Sequence, residues 1–482
     1  MAKLLYYSAV VIAFGSIQEG FTKLESQKTT NVSHNSQSEI AILKQQIAAL
    51  SNKVNALEKK EAEVHYKEKV THTEQAPIQM VQSGNTQAKL KISGMINRGV
   101  AYYDNGRNKN ITHVDIDAAP SRINISSEAN YNKDLKVGAV LEMAVKSNSS
   151  EAFDIGQDDN SASSVYFRKR KIEVYFDHQR YGMLSLGQGE AATHYVSGVD
   201  LTGTDMFTQG ADLAGFAGGV RFINGTIAQQ ALLPVPGVDQ SDSNSPDRDR
   251  QVGDVWIDVL GSRRVDRIRY DTPNFYGFVL SASHSPRDLT DYALRYAGEW
   301  SKTKVAVALG YANVPFSNYL SNAGTRTVRK GRREYGGSTS VLFPIGISVG
   351  GSLATKIYRD PGRRNGTVWT TKLGYQHAFM PTLGNTCFAV TYGRGRALFD
   401  DTVTPLPSDY TDTTFSEDNS EKVRIYGAYL VQNLDRVATE VFIGVQYHHL
   451  SRTPFGQSAM IQEQGYNFKR ILASIAGARI KF

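Results

Sequence analysis

The feature that most constrains this chain is a long series of segments in which apolar and polar residues alternate. These segments occupy most of the sequence from residue 88 to residue 482. Successive side chains of a β-strand point to opposite faces, so a period of two predicts strands with one apolar and one polar face. No uninterrupted apolar run approaches the roughly 20 residues that a membrane-spanning helix needs. The pattern therefore predicts an all-β protein and excludes an α-helical membrane protein.

The alternating segments predict about sixteen strands joined into a transmembrane antiparallel β-barrel. They lie at 88–103, in the two arms of 120–146, and at 165–177, 183–189, 263–271, 276–284, 292–300, 303–314, 333–343, 346–358, 367–379, 384–395, 422–433, 437–449 and 466–482. Short connections alternate with long ones, which is typical of outer-membrane barrels with the short turns in the periplasm. A barrel of this size leaves an aqueous channel. The apolar stretches 218–223 and 226–233 would raise the count to eighteen, but we expect them inside a long third loop.

The last segment is the predicted closing strand of this barrel. Alternation divides its side chains between two faces. The apolar face carries Phe468, Leu472, Ala476, Ala478, Ile480 and Phe482. The polar face carries Lys469, Arg479 and Lys481. In a closed barrel the apolar face meets lipid, and pairing with the first strand removes the exposed edge. An ordinary amphipathic strand of a soluble sheet is the alternative that this segment alone leaves open.

The residues ahead of the barrel divide into three segments. A basic start and the apolar run 4–14 predict a secretory signal peptide over residues 1–15, with a buried helix as the alternative. A period of seven over residues 38–66 predicts a short α-helical coiled coil, with a solitary amphipathic helix as the alternative. Its core positions are Ile40, Leu43, Ile47, Leu50, Val54 and Leu57. Residues 67–88 are predicted to be a polar linker, and 89–482 the barrel.

Charge and motif content limit the function classes. The formal net charge is +7, with basic residues interleaved with acids, so the chain lacks the basic stripe of a nucleic-acid-binding protein. This charge could favour anionic solutes or the phosphates of lipopolysaccharide beside the membrane lipid. The chain has one cysteine, so it forms no intrachain disulfide. It carries no nucleophile elbow, phosphate-binding glycine loop or zinc spacing, so we expect no enzyme, cofactor or metal site.

Three segments resemble the general porins of the Gram-negative outer membrane. Residues 266–283 read DRIRYDTPNFYGFVLSAS and resemble a periplasmic hairpin of that family, with Arg269, Tyr270, Asp271, Pro273, Phe275, Gly277 and Phe278 at the matching positions. Residues 121–142 resemble its second and third strands, and Phe482 matches its usual last residue. The coiled coil is similar to the periplasmic extension of the DcaP-like branch.

The resemblance implies a homotrimer that lets small hydrophilic solutes and ions diffuse passively across the outer membrane. It also implies that the third loop, within residues 190–262, folds inward to narrow the pore, and that Phe482 is an assembly signal. The candidate constriction residues are the loop acids Glu190, Asp200, Asp205 and Asp212 and the wall cations Arg122, Lys169, Lys171, Arg267 and Arg269. Opposed charges of this kind would create a transverse field that selects solutes by size and charge. Ordinary solvated lumen charges are the alternative.

A barrel-anchored structural or adhesive surface protein is the competing function, with the coiled coil as its functional part. A trimeric autotransporter would need only a few strands from each chain. About sixteen alternating segments in one chain argue against that class.

Overall fold

The structure is a computed structural model. It describes residues 86–153, 155, 167–207, 213–223, 251–256, 259–261, 263–286, 288–315, 317–320, 326–329, 331–359, 365–396, 421–451 and 468–482. The chain divides into two compact units, Met1–Gln82 and Ser83–Phe482, and the described residues all belong to the second. The predicted signal peptide, the coiled coil and most of the linker lie outside the described residues.

The described residues contain nineteen strands. They are β1 (Lys89–Asp104), β2 (Lys109–Asp115), β3 (Arg122–Asn130), β4 (Leu135–Val145), β5 (Phe167–His178), β6 (Gly182–Glu190), β7 (Arg264–Asp271), β8 (Phe278–Ser285), β9 (Leu289–Trp300), β10 (Thr303–Val314), β11 (Ser317–Leu320), β12 (Arg326–Arg329), β13 (Arg332–Leu342), β14 (Ile347–Tyr358), β15 (Gly366–Met380), β16 (Gly384–Arg396), β17 (Lys422–Leu434), β18 (Thr439–Ser451) and β19 (Ile471–Lys481). Seventeen of them form one sheet, and β11 and β12 form a separate hairpin. Antiparallel pairing of β1 with β19 closes the sheet into a barrel.

The barrel wall has sixteen strands, as the sequence predicts. The seventeenth strand of the sheet, β2, pairs with β1 over the half of β1 nearer Asp104. β3 pairs with the half of β1 nearer Lys89, so β2 and β3 lie end to end in one wall position. The apolar stretch 218–223 belongs to the loop between β6 and β7, whereas 226–233 lies outside the described residues.

The connections on one rim are short, and we call it the short-turn rim. Asn132 shapes the turn between β3 and β4, since its side-chain oxygen accepts hydrogen bonds from the N–H groups of Asp134 and Leu135 at 2.9 and 2.8 Å. At Gly182 the backbone has a φ of +86°, and a Cβ there would lie 2.1 Å from the carbonyl oxygen of Asp271. The opposite rim, the long-loop rim, carries the longer connections, although β8 and β9 are joined by only 286–288.

The outer face of the barrel is apolar. On β16, Phe388 and Val390 are 46% and 39% exposed, while the intervening Cys387 and Ala389 are buried. The same alternation exposes Ile92, Ile96, Val100, Ile172, Val174, Leu186, Ile268, Leu280, Leu294, Leu309, Val349, Leu353, Leu373, Leu430, Ile443 and Ile480. A continuous apolar band on a closed barrel is what the hydrocarbon of a bilayer requires. No helix among the described residues is long and apolar enough to cross a membrane.

The interior is packed along one side. Residues 191–263, which we call the inward loop, contribute apolar side chains to a core shared with β1, β2, β9, β10 and β14–β19, whereas, among the described strands, β3–β8 contribute nothing to it. Phe207 lies at its centre, stacked on Tyr429 with ring centroids 4.9 Å apart and edge-on to Phe442 at 5.3 Å. The inner face of β19 is therefore apolar toward its start rather than polar, since Ile471, Ala473 and Ile475 are fully buried in the core.

Phe468 differs from the sequence expectation. Alternation places it on the lipid-facing side of the last strand, but β19 begins at Ile471 and Phe468 is only 7% exposed. It precedes the strand and belongs to the apolar core, so the period of two does not extend to it. Leu472, Ile480 and Phe482 face outward as predicted.

Candidate functional site

Three arginines hold the start of the inward loop against the wall. They are Arg267 and Arg269 on β7 and Arg295 on β9, and each donates to backbone carbonyl oxygens. The acceptors are the carbonyls of Gly187, Glu190, Ala191, Ala192 and His194, at 2.7–3.2 Å. Hydrogen bonds from a charged donor are roughly twice as strong as neutral ones. The direction in which the loop leaves β6 is therefore fixed through its backbone.

Arg267 and Arg269 also have carboxylate partners on the wall. Arg267 lies 2.5 Å from Glu173, and Arg269 lies 2.8 Å from Asp271. Both arginines are on the inner face, and Arg267 is only 7% exposed. Because each has an adjacent carboxylate, their charges contribute less to the field in the open lumen than two unpaired arginines would.

Farther along, wall hydroxyl and carboxylate groups bind the backbone of the inward loop. Asp291 accepts bonds from the N–H and the hydroxyl of Thr193 at 2.9 and 2.6 Å. Ser338 and Ser340 accept bonds from the N–H groups of Val199 and Leu201 at 2.9 and 3.0 Å. Buried polar groups must be hydrogen-bonded, so these small polar residues on the wall match the path of the loop. The loop thus follows the inner wall from β7 past β9 to β13.

The candidate loop acids occupy different environments. The side chain of Asp200 is only 6% exposed and lies 2.6 Å from Lys372 Nζ on β15, a cation that sequence reasoning missed. Asp205 is 48% exposed at its side chain and lies 3.9 Å from Arg479 on β19. Asp212 lies outside the described residues. Asp200 therefore fastens the loop, while Asp205 remains accessible to solvent.

Glu190 forms a charged cluster at the loop root. It lies 3.0 Å from Lys171, 3.7 Å from Arg264 and 3.4 Å from His194 Nε2. The carbonyl of Arg263 is 3.1 Å from His194 Nδ1, and the Arg264 guanidinium is 3.1 Å from Nε2. A carbonyl only accepts and a guanidinium only donates, so the imidazole is neutral with its proton on Nδ1. Burial lowers the pKa of His194 to about 3, and the Glu190 charge only partly opposes this.

An open cavity of about 710 Å³ lies beside the inward loop. Tyr195 and Gly215 of the loop border it on one side, and the ends of β4, β5 and β7 border it on the other. Its lining includes five cations and three carboxylates: Lys146, Arg168, Lys169, Arg170 and Arg264, with Asp117, Glu151 and Asp266. Lys146 is paired with Asp117, so the remaining lining has an excess of positive charge.

A bulge in β5 decides which of its cations share a face. The ladder pairs Lys171 with Glu142 and Lys169 with Met143, and Arg170 is the extra residue between them. Paired residues share a face, so Lys171 lies with the buried Glu142 and Lys169 lies on the opposite face, although Lys169 also borders the cavity.

Arg122 on β3 and Arg168 on β5 both pair with Ala144 of β4, which is buried and borders the cavity. Both are therefore on the lumen face of the wall. Sequence reasoning missed Arg168, Arg170, Arg264 and Arg295. The signal for Arg168 and Arg170 is the run RKRK at 168–171, since four successive cations cannot obey a simple alternation. Among the described residues, no group of His, Cys, Asp or Glu has the arrangement of a metal site.

Comparison with known proteins identifies one matching family and several solved structures of low sequence identity. The model of the family described as Gram-negative porin matches residues 76–453. No curated protein matches the chain.

Among solved structures, the anion-selective porin from Comamonas acidovorans is 16% identical, with a TM-score of 0.48, covering 82% of this chain and 100% of that one. The outer membrane channel DcaP of Acinetobacter baumannii is 12% identical, with a TM-score of 0.45, covering 83% and 99%. The trimer form of OmpT from Vibrio cholerae is 10% identical, with a TM-score of 0.46, covering 82% and 99%.

Proposed function

The chain belongs to the family of Gram-negative porins and forms an outer-membrane channel for passive diffusion; on that premise we propose where its solutes pass and how they are selected. The passage runs through the cavity of about 710 Å³ between the inward loop and β4–β7. The opposite side of the lumen is filled by the core around Phe207, so the passage is off-centre. It conducts solutes without chemical conversion.

The observation that carries this proposal is the charge of the cavity lining. Five cations and three carboxylates border it, and two of the cations, Lys146 and Arg170, are paired with Asp117 and Glu142. Arg168 is exposed on the lumen face of the cavity, so its charge acts on solutes that pass. Low-dielectric walls strengthen such fields. The passage therefore favours small hydrophilic anions over cations of the same size.

Reversal potentials in asymmetric salt test this proposal. Replacing the exposed lumen cation in R168Q should shift the reversal potential toward cation selectivity, because a positive charge leaves the lining. The matched control is R180Q, which removes one exposed cation from a turn on the short-turn rim and should keep the wild-type selectivity. An R168Q channel with wild-type selectivity would place the passage elsewhere.

Liposome swelling separates the channel from the adhesive alternative. A conducting barrel should admit small sugars, and a bulky sugar should be excluded because the cavity holds only about 710 Å³. Purified barrels that reach the bilayer but admit no solute would favour an anchor.

We also propose a homotrimer in the cell outer membrane, with β19, β1 and β3 at the subunit contact. Their outward side chains are mainly aliphatic and small, with Ile92 of β1 directly opposite Ile125 of β3. Flat aliphatic surfaces of this kind pack well against a second copy inside a bilayer. Light scattering of the detergent-solubilised protein measures the subunit number, and a monomeric mass would contradict the proposal.

The segments ahead of the barrel complete the proposal. Residue Lys89 begins β1 at the short-turn rim, which is the periplasmic side of an outer-membrane barrel. We therefore place the coiled coil of residues 38–66 in the periplasm, after removal of a signal peptide over 1–15. Cysteines introduced one at a time in 38–66 should react with a periplasm-confined thiol reagent, and protection in intact cells but not in broken ones would place the segment in the cytoplasm.

A further inference from the structure

Four cations face one another on the outer surface near the long-loop rim. Across β16 and β17, Arg394 is directly opposite Arg424, and Arg396 is directly opposite Lys422. They point outward, because Gly393 and Gly395 on β16 and Val423 and Ile425 on β17 are buried on the inner face. We call Arg394, Arg396, Lys422 and Arg424 the cation square.

The cation square is electrostatically unfavourable by itself. Side chains directly opposite on antiparallel strands have Cβ atoms about 4.5–5.5 Å apart, and like charges in such positions are destabilising. The two cation pairs are two residues apart along their strands, which separates the pairs by only about 7 Å. Among the described residues, none of the four has a carboxylate within salt-bridge distance. His449 of β18, directly opposite Arg424, adds a third basic group to that row. The arrangement therefore calls for an anionic partner that binds several of these cations together.

The level of the cation square in the membrane follows from the row of rings below it. Tyr392, Tyr426 and Tyr447 are opposite one another on β16, β17 and β18, and each lies two residues closer to the barrel midplane than the basic row. Trp369 of β15 joins them, with its ring centroid 5.2 Å from that of Tyr392. Such aromatic rows mark the boundary between hydrocarbon and headgroups. The square therefore lies at the depth of the lipid phosphates of the outer leaflet.

We propose that the cation square binds the phosphate groups of lipopolysaccharide. The inference rests on the outer-membrane location of the proposed channel, whose long-loop rim faces the leaflet that contains this glycolipid. Its lipid portion carries phosphates with several acceptor oxygens each, which suit the fork of an arginine. Two cross-strand pairs about 7 Å apart can engage one diphosphorylated headgroup, while the acyl chains lie on Val390 and the apolar surface below.

Removing two of the charges tests the proposal, because the order of stability of wild type and variant should reverse when lipopolysaccharide is added. The variant R394Q/R424Q breaks the most central pair and relieves its repulsion. In detergent without lipopolysaccharide, its thermal unfolding temperature should equal or exceed that of the wild type. With lipopolysaccharide added, the wild type should become the more stable protein, and its affinity for the glycolipid should exceed that of the variant by about tenfold or more. K133Q/R180Q, with the same charge change on the short-turn rim, should behave as the wild type.

Binding of different lipids and anions to the wild type and to R394Q/R424Q shows whether the proposal fails. Lipopolysaccharide stripped of its phosphates should bind the wild type as weakly as the intact glycolipid binds R394Q/R424Q. Equal affinity of wild type and R394Q/R424Q for intact lipopolysaccharide refutes the site, and equal binding of phosphatidylglycerol or inorganic phosphate refutes the assignment to this glycolipid. If the double variant does not fold, R424Q alone gives the same comparison. Conductance of R394Q/R424Q should be normal, so a failed lipid test leaves the channel proposal standing and a failed channel test is recognised separately.

Discussion

Replacing Phe207 tests how the inward loop is held in the lumen. Its ring is fully buried, stacked on Tyr429 and edge-on to Phe442, and it packs against Phe216 of the same loop with centroids 5.9 Å apart. No strand hydrogen bond depends on this side chain. Phe207→Ala therefore removes apolar contacts between loop and wall while the ladders of the barrel remain.

The expected cost follows from the burial of the ring. Truncating a fully buried Phe to Ala typically destabilises the packed state by about 3–5 kcal/mol, which includes the cavity left behind. Every 1.4 kcal/mol is a factor of ten in an equilibrium, so the population with the loop detached should rise by a factor of roughly 10² to 4 × 10³. The remaining anchors at the loop root, such as Arg295 and Asp291, keep that detachment local.

Single-channel recording in planar bilayers measures the effect. We expect Phe207→Ala channels to show larger conductance steps and more current noise, because a detached segment vacates the filled side of the lumen. The matched control is Phe388→Ala on β16, the same substitution at a side chain that is 46% exposed on the outer face. This control should conduct as the wild type does. The unfolding temperature of the barrel itself should change little in either variant.

The result that refutes this reasoning is a Phe207→Ala channel with wild-type conductance and noise in barrels that fold normally. The hydrogen bonds from the wall would then be sufficient to hold the loop, and the apolar core would be dispensable. An equal increase of noise in Phe388→Ala would show instead that the signal reports general loosening of the wall.

Three further predictions concern the loop root and the closing strand. R267A/R269A should increase current noise and shift selectivity toward cations, because loop carbonyls lose charged donors worth about 1.5–3 kcal/mol each; unchanged recordings in planar bilayers would contradict their role as anchors. The pKa of His194 is about 3 in the packed loop and 6.5 when solvated, so packing is fully favourable above pH 6.5 and loses about 1.4 kcal/mol per pH unit as pH falls from 6.5 toward 3. Noise should rise over that range and rise less in H194Q, and an identical acid response in H194Q would assign the titration to another group. Deleting Phe482, whose backbone bonds to Gly94 in both directions at 2.8 and 3.1 Å, should lower the yield of assembled barrels while leaving the conductance of each assembled channel unchanged; normal assembly would argue against its signal role.

The wall was predictable from the sequence because one physical rule governs every strand. Lipid outside and a lumen inside impose the period of two, and the exposed Phe388 and Val390 beside the buried Cys387 and Ala389 show it directly. Turns such as the one at Asn132 confirm the strand boundaries through their own side-chain chemistry. The count of sixteen required no knowledge of contacts.

The lumen was less predictable because its inner face depends on what covers it. Ile471 and Ile475 are apolar and point inward. Alternation alone predicts apolar residues toward lipid and polar residues toward the lumen, so it does not account for these two. Their environment is set by a loop more than two hundred residues earlier in the chain. The charges of Arg267 and Arg269 could be placed on the inner face from the sequence, but their carboxylate and carbonyl partners could not.

The RKRK run of β5 shows how one inserted residue changes the chemistry of the passage. A regular strand would place Lys169 and Lys171 on one face and Arg168 and Arg170 on the other. The bulge instead puts Lys171 with Glu142 and Arg168 with Ala144 on the lumen side. Arg170, the inserted residue, also reaches Glu142. Three of the four cations thus lie on the lumen side where two would have been expected. Arg170 pairs with Glu142 and Lys171 with Glu190, which leaves Arg168 exposed to the passage. Deleting Arg170 would make the ladder regular and leave Arg168 opposite Ala144, but it would remove the cation that neutralises Glu142.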